Sequence, residues 1–155
     1  MKISIDCTNI KTGGGLTHLK QILENHSADS WEIEIIGGFW LEKIKEFEWL
    51  KKRIFKNEFS SVVKQELFKI FSLPKILEYS DIVFAPGGTF SSKRSPYISM
   101  SQNMLVFEEF ERNRFPKRTT WLRYLALERL QLRSFRNAKA IIYISNYAKN
   151  SNNLS

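Results

Sequence analysis

KISIDCTNIKTGGGLTHLKQILEN, residues 2–25, is the stretch that decides the fold. Ile3 and Ile5 alternate with polar neighbours through KISIDC, the period of a β-strand. The loop TNIKTGGG follows. LTHLKQILEN then sets Leu16, Leu19, Ile22 and Leu23 on one face of a helix. A strand, a glycine-rich turn and an amphipathic helix make the first half of a βαβ unit, from which parallel sheets are built.

Downstream the alternation continues. WEIEIIGG (31–38) sets Trp31, Ile33 and Ile35 against Glu32 and Glu34 and predicts a second strand ended by two glycines. Trp40, Ile44, Phe47, Leu50 and Ile54 recur at helical spacing and predict a helix over 40–55. Residues 61–71 repeat that pattern, and Pro74 restarts the chain in a short helix to Tyr79. DIVFAPGG (81–88) predicts a buried strand and its turn, and PYISMSQN (96–103) another strand. A long helix is predicted from about Thr119 to Arg136, then a final buried strand at AIIYIS (140–145). Strands separated by helical segments imply an α/β chain, a Rossmann-like parallel sheet flanked by crossover helices. Residues 1–155 read as a single domain without repeat, low-complexity tract or linker. The last ten residues, NYAKNSNNLS, have barely begun a helix, so the chain reads as cut before a crossover closes, leaving an exposed flank.

Composition narrows the class. The 155 residues are 43% hydrophobic and 26% charged, with 7 Gly and 4 Pro, which excludes a disordered, collagen-like or low-complexity chain. Cys7 is the only cysteine, so no disulfide scaffold forms within the chain. Asp6 interrupts what a signal peptide would need, and no window approaches the roughly 18 apolar residues of a spanning helix. The expected location is cytoplasmic. The net charge is +8, and its excess is local: nine bases and only one acid, Glu128, lie between Arg112 and Lys139.

Two readings stand for the triple glycine. It is either a turn that needs positive φ or a set of backbone N–H groups bared to an anion at a helix N-terminus. Its spacing matches neither the dinucleotide fingerprint nor the Walker pattern. Position adds weight to a site, because ligands of open parallel sheets bind at the carboxyl ends of strands. The glycine loop, Gly87-Gly88, Gln102-Asn103 and Ser145 should all fall on that rim. His18, one turn into the first helix, either joins the rim or is a structural or solvated residue; His26 reads as a surface helix end. One Cys and two distant His give no metal-ligand spacing, and no G-x-S-x-G elbow is present. On the long helix, Arg118, Arg129, Arg133 and Arg136 fall within roughly a 60° sector. Beside them, Trp121, Leu125, Leu132 and Phe135 should pack on the sheet. The basic face reads as a solvated surface or as a site for an anionic membrane. Nucleic acid is the weaker reading, since no recognised binding motif accompanies it.

Four segments in order, KTGGGLTHL (11–19), APGG (85–88), MSQNMLVFEEFE (100–111) and LERLQLRSFRNAKAIIYISNYA (127–148), resemble glycosyltransferases of family 4. The likeness runs from Met1 to about Lys149 and is to the N-terminal, acceptor-side half of a two-domain GT-B enzyme. It implies that Gly13, Gly14 and Gly15 approach the diphosphate and sugar of a nucleotide-sugar donor. Where many members carry a His at the end of a middle strand, this chain reads Ser101-Gln102-Asn103, so that contact is lost or made by an amide. Ser145 matches the family's strand-end serine. The family's second Rossmann-like domain, which holds the nucleotide, has no counterpart here, and the chain reads as a truncated N-terminal half, inactive alone. The implied reaction moves a sugar to a polysaccharide or glycolipid acceptor, at the inner face of a membrane, with no metal or other cofactor. No catalytic residue is assigned. The alternative from another class is a non-catalytic basic module that binds an anionic membrane or nucleic acid.

Overall fold

The computed structural model describes residues 1–26, 31–57, 61–90, 95–101 and 118–151. Six strands, β1 (Lys2–Asp6), β2 (Glu32–Gly37), β3 (Leu50–Ile54), β4 (Ile82–Ala85), β5 (Tyr97–Ser101) and β6 (Ala140–Tyr143), form one sheet in the order β3-β2-β1-β4-β5-β6. Every pairing is parallel. The helices are α1 (Gly14–Glu24), α2 (Val62–Leu67), α3 (Leu73–Ile76), α4 (Arg118–Asn137) and α5 (Asn146–Ser151). A π-helical turn, Phe68–Ser72, joins α2 to α3 as one rod. Ser61 caps the rod by accepting from the Lys64 N–H, and Pro74 stands at the start of α3, directly after the π-helical turn. This is the Rossmann-like α/β arrangement, and its strand order reverses between β1 and β4.

Register assigns the faces. Ile3, Ile5, Ile33 and Ile35 share one face; Ser4, Glu34, Val83 and Tyr97 share the other. On the second face Ser4 Oγ and Ser80 Oγ, at the end of the rod, lie 2.7 Å apart in a buried hydrogen bond. The Tyr97 hydroxyl donates to the Ser134 carbonyl of α4 at 2.6 Å. The rod and α4 therefore cover this face, and right-handed crossovers put α1 over the other. Leu16, Leu19 and Leu23 of α1 join Ile5, Ile33, Ile35, Trp40 and Leu41 in the core. Burying each such side chain stabilises the fold by about 1.5–3 kcal/mol.

Three sequence expectations are corrected here. The helix predicted over 40–55 is instead a short 3₁₀ turn (Phe39–Lys43) followed by strand β3. Leu50 and Ile54 are four apart, a spacing that suits a helical face and a strand face equally. What selects the strand is β2: Lys51 pairs with Glu32 at 2.5 Å and Arg53 with the buried Glu34 at 2.9 Å. The same lysine and arginine blunt the sheet edge against further pairing. Second, β6 is an edge strand rather than a buried one, and Ile142 and Ile144 are exposed. With a neighbour on one side only, its apolar run lies on the flank of the sheet. Third, Trp121 is exposed rather than packed on the sheet, while Phe135 is buried as expected. Trp31 is also exposed, whereas both Glu34 and Ile36 are buried, because the sheet is covered on both faces.

Candidate functional site

The carboxyl ends of β1 and β4 flank the point where the strand order reverses, the crevice in which sheets of this order bind ligands. Gly13 enters α1 at φ 74°, in the left-handed region that favours glycine, and its carbonyl accepts from Leu16 and Thr17 at 3.1 and 3.2 Å. No side chain caps α1 and no acidic residue occupies its first turn. Its first N–H groups therefore meet the rim with no side-chain acceptor at the cap. Gly14 is different from Gly13. Its φ is not positive, and a Cβ there would meet no atom within 4 Å. Nothing in the chain's own packing requires glycine at this position, and the space beside it is open. Gly15 follows in the same turn, half-buried, and His18 is half-buried one turn further on.

On the β4 side, Gly87 answers to packing: a Cβ there would stand 2.9 Å from the Cβ of Asn9 in the β1–α1 loop. Gly88 adopts φ 74° to close the turn after β4. The two loops are stitched by Asn9, whose side-chain N–H donates to Thr89 Oγ1 at 2.5 Å. Gly13 and Gly14 follow β1 and Gly87 and Gly88 follow β4, two strands that are neighbours in the sheet. Ser145 lies at the end of β6, two strands beyond β4, and accepts from the Ala148 N–H at 3.1 Å as the cap of α5. The structure gives it a local role and does not bring it to the β1–β4 crevice. Gln102 and Asn103 lie outside the described residues.

Sequence reasoning missed three residues in this crevice. Lys11 donates to Gln65 Oε1 at 2.6 Å and lies over the Trp40 ring. Gln65 donates in turn to the Thr8 carbonyl at 3.2 Å. Lys69, in the π-helical turn, donates to Asn9 Oδ1 at 2.5 Å. A π turn inside a helix is a recurrent mark of functional positions. Lys11 stood in the quoted loop, and Gln65 and Lys69 stood one helical turn apart; nothing in the sequence said that the loop and the rod meet. Beneath them burial pushes the Asp6 carboxyl above its usual range, against the pull of Thr8 and of the Lys69 charge. Burial and the neighbouring Asp6 raise the Cys7 thiol well above its usual range.

No family model matches the chain, and neither a curated protein nor a solved structure is significantly similar to it. The fold assignment therefore rests on the strand order and register alone.

Away from the crevice, Arg129, Arg133 and Arg136 are exposed on the outward side of α4, opposite the buried Gln131, Ser134 and Phe135. Exposed Trp121, Leu122 and Leu130 stand among them. Arg118 opens the helix, with its side chain outside the described residues. Among the described residues no three His, Cys, Asp or Glu side chains gather to hold a metal ion, and no helix is long and apolar enough to cross a membrane. Chemically, the rim offers backbone donors, two ammonium groups and amides, a set suited to binding and neutralising an anion.

Proposed function

We propose that this chain is the N-terminal half of a sugar transferase of the family 4 kind, and that its glycine loop receives the diphosphate of a nucleotide-sugar donor. The observation that carries the reading is Gly14. Its backbone is one that any residue could adopt and its Cβ direction is empty, so the absent side chain leaves room for a ligand to approach the first turn of α1. Uncapped N–H groups at a helix start favour negative charge there. The protein's contribution to transfer would be to position donor and acceptor and to stabilise charge building on the leaving diphosphate. The acceptor would be a glycan or a lipid-linked sugar, reached from the β1–β4 crevice.

The reading is tested by transfer assays with radiolabelled nucleotide-sugars, on the 155-residue chain alone and joined to a second Rossmann-type half. Turnover requires both halves to enclose the diphosphate and exclude water. Transfer only by the joined form supports the reading; robust transfer by the chain alone, or none by either, counts against it.

A second reading concerns location. Exposed Trp121, Leu122 and Leu130 among Arg129, Arg133 and Arg136 give α4 an apolar and cationic outward face. That composition suits the surface of an anionic bilayer, where a lipid-linked acceptor would be found. A basic module without catalysis, holding membrane or nucleic acid by the same face, is the competing account.

A further inference from the structure

Phe68 and Leu73 anchor the rod in the core, whereas Leu67, Ile70 and Phe71 are 49%, 61% and 63% exposed. Three large apolar side chains within five residues make a patch, unlike the scattered single exposures normal on a surface. Beside them runs an open groove lined by Asn57, Lys64, Leu67, Phe68, Phe71 and Ser72. Lys64 and Lys75 flank the patch along the rod, and both are exposed.

The cations of this layer differ from those elsewhere. Every ion pair among the described residues lies around β1–β3, where Lys2, Lys51, Lys52, Arg53 and Lys56 meet four glutamates. Lys64 and Lys75 on the rod, and Arg129, Arg133 and Arg136 on α4, have no carboxylate within 4.0 Å among the described residues. The rod and α4 cover the same face of the sheet. Their outward sides therefore point the same way, and one flat surface can touch both. A surface that matches these cations is anionic, and one that covers Leu67, Ile70 and Phe71 has an apolar interior. A bilayer containing anionic lipids offers both; a nucleic acid offers only the charge.

We infer that the outward side of the rod inserts into an anionic bilayer beside the cationic side of α4. Leu67, Ile70 and Phe71 enter the acyl region, and Lys64, Lys75 and the α4 arginines meet lipid phosphates. The inference rests on the membrane account of α4 for part of its charge and not on the transferase reading. Attachment by α4 charge alone is reversed by salt, whereas insertion of the rod leaves a part that salt does not reverse. The two accounts therefore fail separately.

The test places an environment-sensitive fluorophore on the full chain at Ile70→Cys. Cys7 is buried and its thiol is held well above its usual range, so the label goes to the introduced site. Vesicles are equal parts phosphatidylglycerol and phosphatidylcholine, or phosphatidylcholine alone. With the anionic vesicles the emission should shift to the blue and be quenched by nitroxide-bearing acyl chains. The same label at Gln21→Cys, exposed on α1 across the sheet, should do neither. Phe71→Ser should weaken vesicle binding about tenfold and remove the part that persists at high salt. Its unfolding temperature should barely change, because the side chain is exposed. Equal responses at the two label sites, or binding unchanged by Phe71→Ser, would overturn the proposal. So would a blue shift that needs only more protein and no vesicles, which marks a second copy, or displacement from vesicles by nucleic acid. If reversing the α4 arginines abolishes binding that Phe71→Ser leaves intact, the α4 account stands and this one fails.

Discussion

The missing side chain of Gly87 lets the β4 turn rest against Asn9: a Cβ on Gly87 would lie 2.9 Å from the Asn9 Cβ, inside any distance real Cβ atoms keep. This contact closes the floor of the crevice between the two strands at which the sheet order reverses, and it holds the Asn9 amide within reach of Thr89 and Lys69.

Gly87→Ala should therefore push the two loops apart. The expected cost is about 1–3 kcal/mol of unfolding free energy, the usual size of an overpacking strain. Urea denaturation measures it. Gly14→Ala is the matched comparison, and because nothing lies within 4 Å of its Cβ position it should cost well under that amount. Equal losses in the two variants would show that the close approach at Gly87 is not the constraint described.

Asp6 makes stability depend on pH in a set direction. Burial raises its carboxyl, with Thr8 and Lys69 pulling it back, so the folded chain holds this proton more tightly than the unfolded chain does. Stability from this group is then greatest below the ordinary carboxylate range and falls as pH rises through the raised folded value. Asp6→Asn keeps an oxygen for the Thr8 N–H and removes the titration. Between about pH 4 and about pH 8 its unfolding free energy should lose less with rising pH than that of the parent chain. An identical slope in the two proteins would refute the assignment.

The elements legible in the sequence are those whose signals are local. β1, α1 and β4 announce themselves because alternation, a helical stripe and Gly or Pro punctuation occur within a few residues of one another. β3 was hidden, since Leu50 and Ile54 fit either period and the deciding partners, Glu32 and Glu34, belong to another strand. The buried reading of β6 failed for a related reason: AIIYIS looks like core, yet the sheet ends there. The turns that hold the glycines after β1 and β4 were readable because strand ends are. The Asn9–Lys69 clasp was not, because it joins residues 60 apart that meet only once β1 lies beside β4.

For α4, the membrane account predicts sedimentation with anionic vesicles at low salt, little with neutral ones, and release as salt rises. Each Arg near such a surface contributes about 1 kcal/mol, so reversing Arg129, Arg133 and Arg136 to Glu should cost several kcal/mol of binding. A solvated face predicts no sedimentation before or after the change. Preference for a nucleic-acid competitor over vesicles would select the other binding account.

The central claim is that the glycine loop binds a donor diphosphate, and calorimetry tests it most directly. Nucleotide-sugars are titrated into the chain joined to a second Rossmann-type half, and then into the same protein carrying Gly14→Val. The Gly14 backbone and its surroundings accept a side chain without strain, so the variant should unfold at nearly the parent temperature. Its β-branched side chain would fill the space that a diphosphate needs to reach the α1 N–H groups. The account predicts measurable affinity in the parent and its loss in the folded variant; equal affinity in both, or none in the parent, would contradict it.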